Sequence, residues 1–410
     1  MDDGSTAPAA TSRYAKKREA IIEAAAAAIN RQGVKGMTLA DVAASVGLIT
    51  TSVTYYFKRK EDLAAACFLA SIARLDGLID EALREPTPPT RLARFIDLCL
   101  DLNSRIRQGQ APPIAMFGDT RALGEPHRTA VGETYAALFR KVRSLFYADG
   151  ADRIGRKAAT ARTIMLVEQV FWSTAWLPRY DVEDYPRVRD RMADILLNGL
   201  AAPGREWAPA ALGQVLPTPC DAQARSREAF LLAATRLINR HGYRGASVEQ
   251  ISAELNVTKG SFYHHNEAKD DLVVACFERS FQVVRQIQTA AMRLETDSWT
   301  KLASAAARLV EHQLSDEGPL LRTSAFSALP EPIRARMFDA QNRLTERFAG
   351  MISDGIAEGA LRPVDPAIAA QMLGATLNAA SDLRADAVQV TTAEVASLYA
   401  KPMLMGVFSR

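Results

Sequence analysis

The chain has 410 residues, of which 48% are hydrophobic and 24% are charged, and its formal net charge is +3. This is the composition of an ordinary globular protein that is long enough for two or three domains. No stretch approaches the ~20 consecutive apolar residues of a membrane span, so we expect no membrane partner. The four cysteines form no CxxC pair, which favours reduced thiols and a cytoplasmic location.

The first segment, residues 1–12, is acidic and rich in small residues, and we predict a disordered tail there. After it, apolar residues recur at helical spacing as far as Gly33, which suits the position just beyond a helix end. Thr38 is a good N-cap for a short second helix over 39–46.

A break at Gly47 precedes a third helix over 50–56, and a long fourth helix starts at Lys60. Glycine tolerates the left-handed backbone that such a break needs. No run of alternating β-branched residues is long enough for a sheet. We therefore predict an all-α fold.

The same pattern returns 209 positions later in the chain. Glu19–Phe68 aligns with Glu228–Phe277 without a gap, and seventeen of the fifty positions are identical. A weaker match at a shift of 207 pairs Gly199 with Gly406. The sequence therefore consists of two tandem units of similar length.

Two short helices joined by a tight turn and flanked by longer helices describe a helix-turn-helix module. Its second short helix enters the major groove of DNA. Residues 11–60 contain nine Lys or Arg against three Asp or Glu, and residues 222–269 contain seven against four. Local basic charge of this kind favours an anionic partner.

Both copies of the module resemble the recognition segment of the TetR family of transcriptional regulators. The first copy matches at Gly47, Leu48, Ser52, Val53, Tyr56, Phe57, Lys60, Glu61 and Leu63, and the second at Val257, Thr258, Gly260, Ser261, Phe262, Tyr263, His265, Lys269 and Leu272. The first departs from the family at Thr51 and Thr54, and the second at Asn256 and Asn266. The resemblance implies two tandem TetR-like units, each a helix-turn-helix domain followed by a helical ligand-binding and dimerisation domain.

The predicted domains follow from the repeat and this resemblance. They are a tail (1–12), a first helix-turn-helix domain (13–62), a first regulatory domain (63–200), a linker (201–224), a second helix-turn-helix domain (225–271) and a second regulatory domain (272–410). The linker contains four prolines. Extended at ~3.3 Å per residue, it could join the two units in almost any relative pose.

The resemblance also implies which residues contact DNA. Phosphate contacts are expected from Thr38, Thr50, Ser52, Tyr56 and Lys60, and from Ser247, Lys259, Ser261, Tyr263, His265 and Lys269. We expect base readout from Thr51, Tyr55 and His264, a close backbone approach at Gly260, and a basic arm at Arg13 and Lys17. Other roles stay open: Thr38 and Ser247 as N-caps alone, Tyr56 and Tyr263 as packing residues, and the arm as a solvated tail.

The predicted recognition helices of the two modules, 50–56 and 259–265, are called the reading helices below. Their sequences differ, TTSVTYY against KGSFYHH, although they belong to one chain. We expect the two halves to form an intra-chain pseudo-dimer that reads an asymmetric operator with two unlike half-sites. Its interface is predicted to join helices over 157–177 and 184–199 with helices over 366–384 and 391–407. A further homodimer of the whole chain stays open.

By the same resemblance, the protein would be a repressor released by a small apolar or amphipathic inducer. The aromatic-rich first regulatory domain supplies the pocket candidates, for which core packing is the alternative. They are Met116, Phe117, Glu168, Trp172 and Trp176. In the second regulatory domain the weaker candidates are Trp299, His312 and Phe326.

The sequence contains no HExxH, GxSxG, phosphate-loop or strand-associated GxGxxG motif. Its five histidines form no ligand pattern, so we expect no catalytic residue, no metal and no cofactor. A constitutive architectural DNA-binding protein without an inducer is the alternative function. A protein-interaction scaffold would bind no DNA at all.

Overall fold

The computed structural model of the chain describes residues 7–148, 154–216, 221–242, 250, 252–253, 269–384 and 390–409. It is 76% helical. Within these residues the only β-type pairing is a single bridge between Ala201 and Leu361. The predicted all-α fold is confirmed.

Two compact units make up the chain. Residues 1–81 with 105–141 form the N-terminal unit, and residues 82–104 with 142–410 form the larger unit. The described helices of the first half of the chain are α1 (Ala7–Gly36), α2 (Leu39–Ser45), α3 (Thr50–Tyr56), α4 (Lys60–Ala82), α5 (Pro88–Arg107), α6 (His127–Ser144), α7 (Arg156–Trp176) and α8 (Tyr185–Asn198). A 3-10 helix, Phe117–Ala122, lies between α5 and α6.

The second half of the chain repeats this order as far as it is described. Its helices are α9 (Ala222–His241), α10 (Lys269–Met292), α11 (Ser298–Leu314), α12 (Glu331–Ala357), α13 (Pro366–Ala379), α14 (Thr392–Val395) and α15 (Lys401–Met405). A 3-10 helix, Thr323–Ala328, precedes α12, and a π-helical turn, Ala396–Ala400, joins α14 to α15. The short helices predicted over 248–255 and 259–265 lie largely outside the described residues.

Helix α1 begins at Ala7, so residues 7–12 are helical where a disordered tail was predicted. Three alanines favour the helix there, and Pro8 stands in the first turn, where its missing N–H is not needed. Gly33 has φ 69° and interrupts α1 at the predicted end. Gly47 also has a positive φ, 66°, at the predicted break before α3.

The core of the N-terminal unit holds the helix-turn-helix together. Ile21 of α1, Val53 of α3 and Leu63 of α4 are each fully buried. Phe57, which ends α3, is 5% exposed. Helix α3 is therefore anchored at its middle and its end, because burial of such side chains stabilises the packed state.

The first half packs on the second inside the larger unit. Helix α13 lies against α7 and α8, and the π-helical turn also contacts α7. The Gln169 amide of α7 donates to the Met372 carbonyl at 2.8 Å and to the Thr376 hydroxyl at 3.0 Å. The predicted contact between these helices is therefore present within one compact unit.

The repeat meets itself at Gly199 and Gly406. The Leu200 amide donates to the Leu404 carbonyl at 2.7 Å, and the amide of Val407, which is the equivalent of Leu200, donates to the Leu196 carbonyl at 2.9 Å. A Cβ on Gly199 would lie 2.4 Å from the Gly406 nitrogen. The backbones at the ends of the two halves cross so closely here that neither glycine has room for a side chain.

Residues 202–207 of the linker are bound to the second half instead of being free to take any pose. The Ala202 amide donates to the Ala360 carbonyl at 3.3 Å, and the Trp299 indole donates to the Glu206 carbonyl at 2.9 Å. Trp207 packs edge-on against Trp299, with ring centroids 6.5 Å apart. Its proline content did not predict this docking, which depends on tryptophan contacts between distant residues.

Candidate nucleic-acid interface

Helix α3 presents a polar face to solvent. Thr50 and Thr51 are exposed at its start, Ser52 is half-buried, and Tyr55 near its end is 75% exposed. Because Val53 and Phe57 hold the opposite face in the core, these side chains point away from the domain. The arrangement suits a recognition helix, whose outward face meets base edges and phosphates.

Thr38 is the N-cap of α2. Its hydroxyl oxygen accepts from the Asp41 amide at 3.1 Å, and its hydroxyl donates to the Asp41 carboxylate at 2.7 Å. The N-cap prediction is confirmed, and Thr38 is also exposed. Its contact with phosphate stays a prediction.

Basic residues flank the helix-turn-helix on both sides. Arg13 and Lys17 are exposed on the first turns of α1. The Lys60 ammonium at the start of α4 donates to the Lys35 carbonyl at 3.1 Å, which ties the end of α1 to the beginning of α4. Cations at these positions would suit phosphates, which carry most of the affinity for DNA.

Asp62 links α4 to α6 next to this basic surface. It accepts from the Arg59 guanidinium at 3.2 Å and lies 2.9 Å from the His127 ring nitrogen. Burial raises the pKa of the Asp62 carboxyl, but hydrogen bonds from Arg59 and His127 hold it below its ordinary value. This contact is not predictable from local sequence patterns, because Asp62 and His127 are 65 positions apart.

The second reading helix lies outside the described residues. This applies to Ser247, Lys259, Gly260, Ser261, Tyr263, His264 and His265. Lys269 opens α10 at the position that Lys60 holds in α4, as predicted.

Equivalent asparagines bind the first helix of each helix-turn-helix domain to its regulatory domain, in a contact called the clamp below. The Asn30 amide of α1 donates to the Ile114 carbonyl at 2.8 Å and accepts from the Met116 amide at 2.8 Å. Asn239 of α9, its equivalent, donates to the Leu320 carbonyl at 2.8 Å and accepts from the Arg322 amide at 3.0 Å.

A serine completes each clamp. The Ser71 hydroxyl of α4 accepts from the Ala115 amide at 2.9 Å, and the Ser280 hydroxyl of α10 accepts from the Leu321 amide at 2.9 Å. Each clamp therefore fixes the segment before a 3-10 helix to the first and fourth helices of its domain. The asparagines and serines are identical in both halves, which is the signal that could have identified them.

The predicted pocket residues are divided between the two units. Met116, which is 48% exposed, and Phe117 belong to the N-terminal unit, whereas Glu168, Trp172 and Trp176 belong to the larger unit. Phe117 lies between Phe68 and Tyr135, with ring centroids 6.3 Å and 5.1 Å away. Trp176 is 3% exposed and packs edge-on against Tyr180.

Glu168 and Trp172 face the second half of the chain. The Glu168 carboxylate accepts from the Asn378 amide at 2.6 Å and from the Arg322 guanidinium at 3.3 Å. The Trp172 indole donates to the Gln371 side chain at 3.2 Å. Both polar groups are therefore satisfied by the junction between the halves without a ligand.

The three weaker candidates are all buried in the second half. Trp299 binds the linker, and Phe326 packs in the core between α9 and α10. His312 is fully buried, and burial lowers its pKa to about 3, which keeps the ring neutral.

Among the described residues, no group of three or more His, Cys, Asp or Glu side chains could hold a metal ion. None of the described helices combines the length and the apolar character that crossing a membrane requires.

Comparison with known protein families identifies the family of this chain. The family described as "Bacterial regulatory proteins, tetR family" matches residues 21–67 and again residues 230–276. A second description, "Tetracyclin repressor-like, C-terminal domain", matches residues 295–406. The chain belongs to the TetR family. It is a tandem member, because the N-terminal domain of the family occurs twice.

Known relatives of this TetR-family chain include two curated proteins. The Transposon Tn10 TetC protein of Escherichia coli is 32% identical over 87 residues, which are 21% of this chain and 42% of TetC, so the match spans less than half of that protein. The HTH-type transcriptional regulator BetI of Rhizobium meliloti (strain 1021) is 26% identical over 149 residues, which are 35% of this chain and 72% of BetI. The crystal structure of PfmR from Thermus thermophilus shares 20% identity, covers 44% of this chain and 99% of its own, and has a TM-score of 0.39.

Proposed function

We propose that this protein is a cytoplasmic transcriptional repressor that acts as an intra-chain pseudo-dimer. Two covalently linked helix-turn-helix heads read the two unlike half-sites of one asymmetric operator. The observation that carries the proposal is the junction inside the larger unit, where α7 and α8 of the first half pack on α13 of the second. The crossing at Gly199 and Gly406 supports it, since equivalent segments of the repeat exchange hydrogen bonds there.

The difference between the reading helices supports an asymmetric operator. The first carries TTSVTYY, and the aligned segment of the second half reads KGSFYHH. Base contacts specify a sequence, so heads with different side chains prefer different half-sites. A palindrome suits two identical heads, which this chain does not have.

The proposal includes release from DNA by a small apolar or amphipathic inducer in the first regulatory domain. The aromatic contact of Phe117 with Phe68 supports this, because Phe68 lies on α4 and α4 follows α3 directly. A ligand that displaced Phe117 would shift α4 and the attached reading helix, and so change the population of the DNA-competent state.

Selection of bound DNA from a random pool tests the DNA-binding part with the full-length protein. We expect one site with two unlike half-sites whose centres lie about 34–36 Å apart. Lys60→Ala should weaken footprint protection over one half-site and Lys269→Ala over the other. Arg84→Ala is a matched control, because it removes a cation that is exposed outside both helix-turn-helix domains. A perfect palindrome with equal loss in both lysine variants would contradict the proposal.

A second experiment tests the inducer. The selected DNA is held at half-saturation, and a panel of apolar and amphipathic compounds is titrated while DNA release and tryptophan fluorescence are recorded. We expect at least one compound to release the DNA and to change the fluorescence at the same concentration. If every compound leaves both signals unchanged, the constitutive DNA-binding function replaces the inducible one.

A further inference from the structure

The first reading head carries an exposed apolar surface that basic and hydroxyl contacts to phosphate do not require. Ile49, the N-cap of α3, is 70% exposed, and Tyr55 near the other end is 75% exposed. Tyr14 of α1 is 42% exposed and lies beside Tyr55. On a surface that faces DNA, such side chains are suited to contact with an apolar group on a base edge.

Three tyrosine rings at the end of α3 pack against one another. The Tyr14 ring centroid lies 4.7 Å from that of Tyr56 and 6.1 Å from that of Tyr55. The Tyr55 and Tyr56 rings are perpendicular, with centroids 5.3 Å apart. These distances fall in the ~4.5–7 Å range of favourable aromatic pairs.

Helix α1 holds the end of α3 by a second contact on the same face. Arg18, one turn after Tyr14, places its guanidinium 5.1 Å from the centre of the Phe57 ring, within reach of a cation–π interaction. The exposed Tyr55 ring is therefore restrained before any partner binds. A side chain that is ordered in the free protein loses less freedom on binding, so it contributes more to affinity.

The positions of Ile49 and Tyr55 on α3 indicate which chemical group of DNA they are suited to contact. Ile49 and Tyr55 stand near opposite ends of α3, about 9 Å apart along an axis that rises 1.5 Å per residue, which is close to three base-pair steps. In the major groove, the apolar group on a base edge is the C5-methyl group of thymine. We propose that the first head recognises thymine methyl groups through Ile49 and Tyr55, and that Tyr14 is a positioning residue for the Tyr55 and Tyr56 rings. The inference rests on the proposed function, since it requires α3 to enter the major groove.

The second half of the chain offers an internal comparison at the level of sequence. Thr258 aligns with Ile49, His264 with Tyr55, and Gln223 with Tyr14. These residues offer less apolar surface than isoleucine and tyrosine do, although the Thr258 methyl keeps part of it. The stronger methyl recognition is therefore assigned to the first half-site.

Replacement of thymine by deoxyuridine in the selected DNA tests the proposal, because it removes only the methyl group. With the full-length protein, we expect about fourfold weaker binding for each contacted methyl group, the loss that one buried methylene-sized group predicts. Replacements confined to the half-site protected by the Lys269 head should weaken binding less than the same replacements in the first half-site.

Variants of Tyr14 separate positioning from simple structural support. Tyr14→Phe keeps the ring and should keep the ratio of thymine to deoxyuridine affinity. Tyr14→Ala should reduce this ratio towards one, and should weaken binding to the thymine site by a larger factor than it weakens binding to non-specific DNA. Gln223→Ala, the aligned substitution in the second half, is the matched control and should leave the ratio as it is.

The outcomes also separate this proposal from the proposed function. If the protein binds one DNA sequence specifically but deoxyuridine in the first half-site has no effect, methyl recognition is refuted and the regulator remains. If Tyr14→Ala weakens thymine and deoxyuridine sites equally, Tyr14 is not a positioning residue. If no DNA is preferred over bulk competitor, the proposed function itself fails.

Discussion

Substitution of Arg322 by methionine tests the charge cluster that joins the two halves. The Arg322 guanidinium bridges the Glu168 carboxylate of α7, at 3.3 Å, and the Asp382 carboxylate, at 2.5 Å. Only 17% of the Arg322 side chain and 15% of the Glu168 side chain are exposed. Methionine has a similar length, so Arg322→Met removes the charge and keeps most of the volume.

The expected cost follows from leaving one buried charge without its partner. Removal of one member of a buried pair costs on the order of 3–5 kcal/mol, and we expect about 3 kcal/mol at pH 7 because Asn378 still donates to Glu168. Burial raises the pKa of the Glu168 carboxyl, and Arg322 lowers it. Loss of Arg322 therefore raises this pKa further.

The sign of the pH dependence follows from that shift. A carboxyl whose pKa is higher in the folded state than in the unfolded state stabilises the fold at low pH, and this contribution is lost as the pH rises through the folded value. The difference in unfolding free energy between the protein and Arg322→Met should therefore be largest near pH 7 and should shrink towards pH 4.5, the ordinary value for Glu.

Urea unfolding followed by circular dichroism measures this difference. Glu168→Gln and the double variant complete a cycle, in which the double variant should lose less than the sum of the single losses. Arg128→Met is the control, because it breaks an exposed pair with Glu125 and should cost little. If Arg322→Met costs no more than Arg128→Met and its cost does not depend on pH, the argument from a buried bridging charge is refuted.

Three further predictions concern other contacts of the fold. Gly199→Ala should cost about 2 kcal/mol or more in unfolding free energy, because the φ is +68° and the new Cβ would overlap the Gly406 backbone; Gly204→Ala, with positive φ but open space, should cost less. Asn239→Leu removes both clamp bonds of the second head and should weaken footprint protection over the second half-site more than over the first. Burial raises the pKa of the Cys67 and Cys276 thiols to about 12, and Cys99 is also buried. A Cys220→Ser variant, which keeps only these three thiols, should therefore show almost no thiol labelling at pH 8 until the protein is unfolded.

Local signals predicted the first head well. The bounds of α3 at Thr50–Tyr56 and the start of α4 at Lys60 agree with the sequence prediction. They depend on Gly33, Thr38 and Gly47, whose backbone and capping preferences act within a few residues. Such signals do not need a partner that is distant in the chain.

Contacts between distant segments were not predictable in the same way. Asn30 donates to the backbone carbonyl of Ile114, 84 positions away. Glu168 accepts a hydrogen bond from Asn378, which is 210 positions away. Helical periodicity indicates which face of a helix is buried. It does not indicate which polar groups form hydrogen bonds with each other. Glu168 was consequently placed in a ligand pocket, although its carboxylate is satisfied within the junction.

Covalent linkage accounts for the asymmetry of that junction. At the shift of 207, Glu168 aligns with Ala375 and Asn378 aligns with Phe171. In a symmetric pair of first halves, the position that holds Asn378 would hold Phe171, and each Glu168 would lose the amide that satisfies it. A buried carboxylate without its hydrogen bonds is costly, so this polar network suits only the pairing of unlike halves. Tethering keeps those halves at high effective concentration, which allows both the junction and the reading helices to differ from their counterparts.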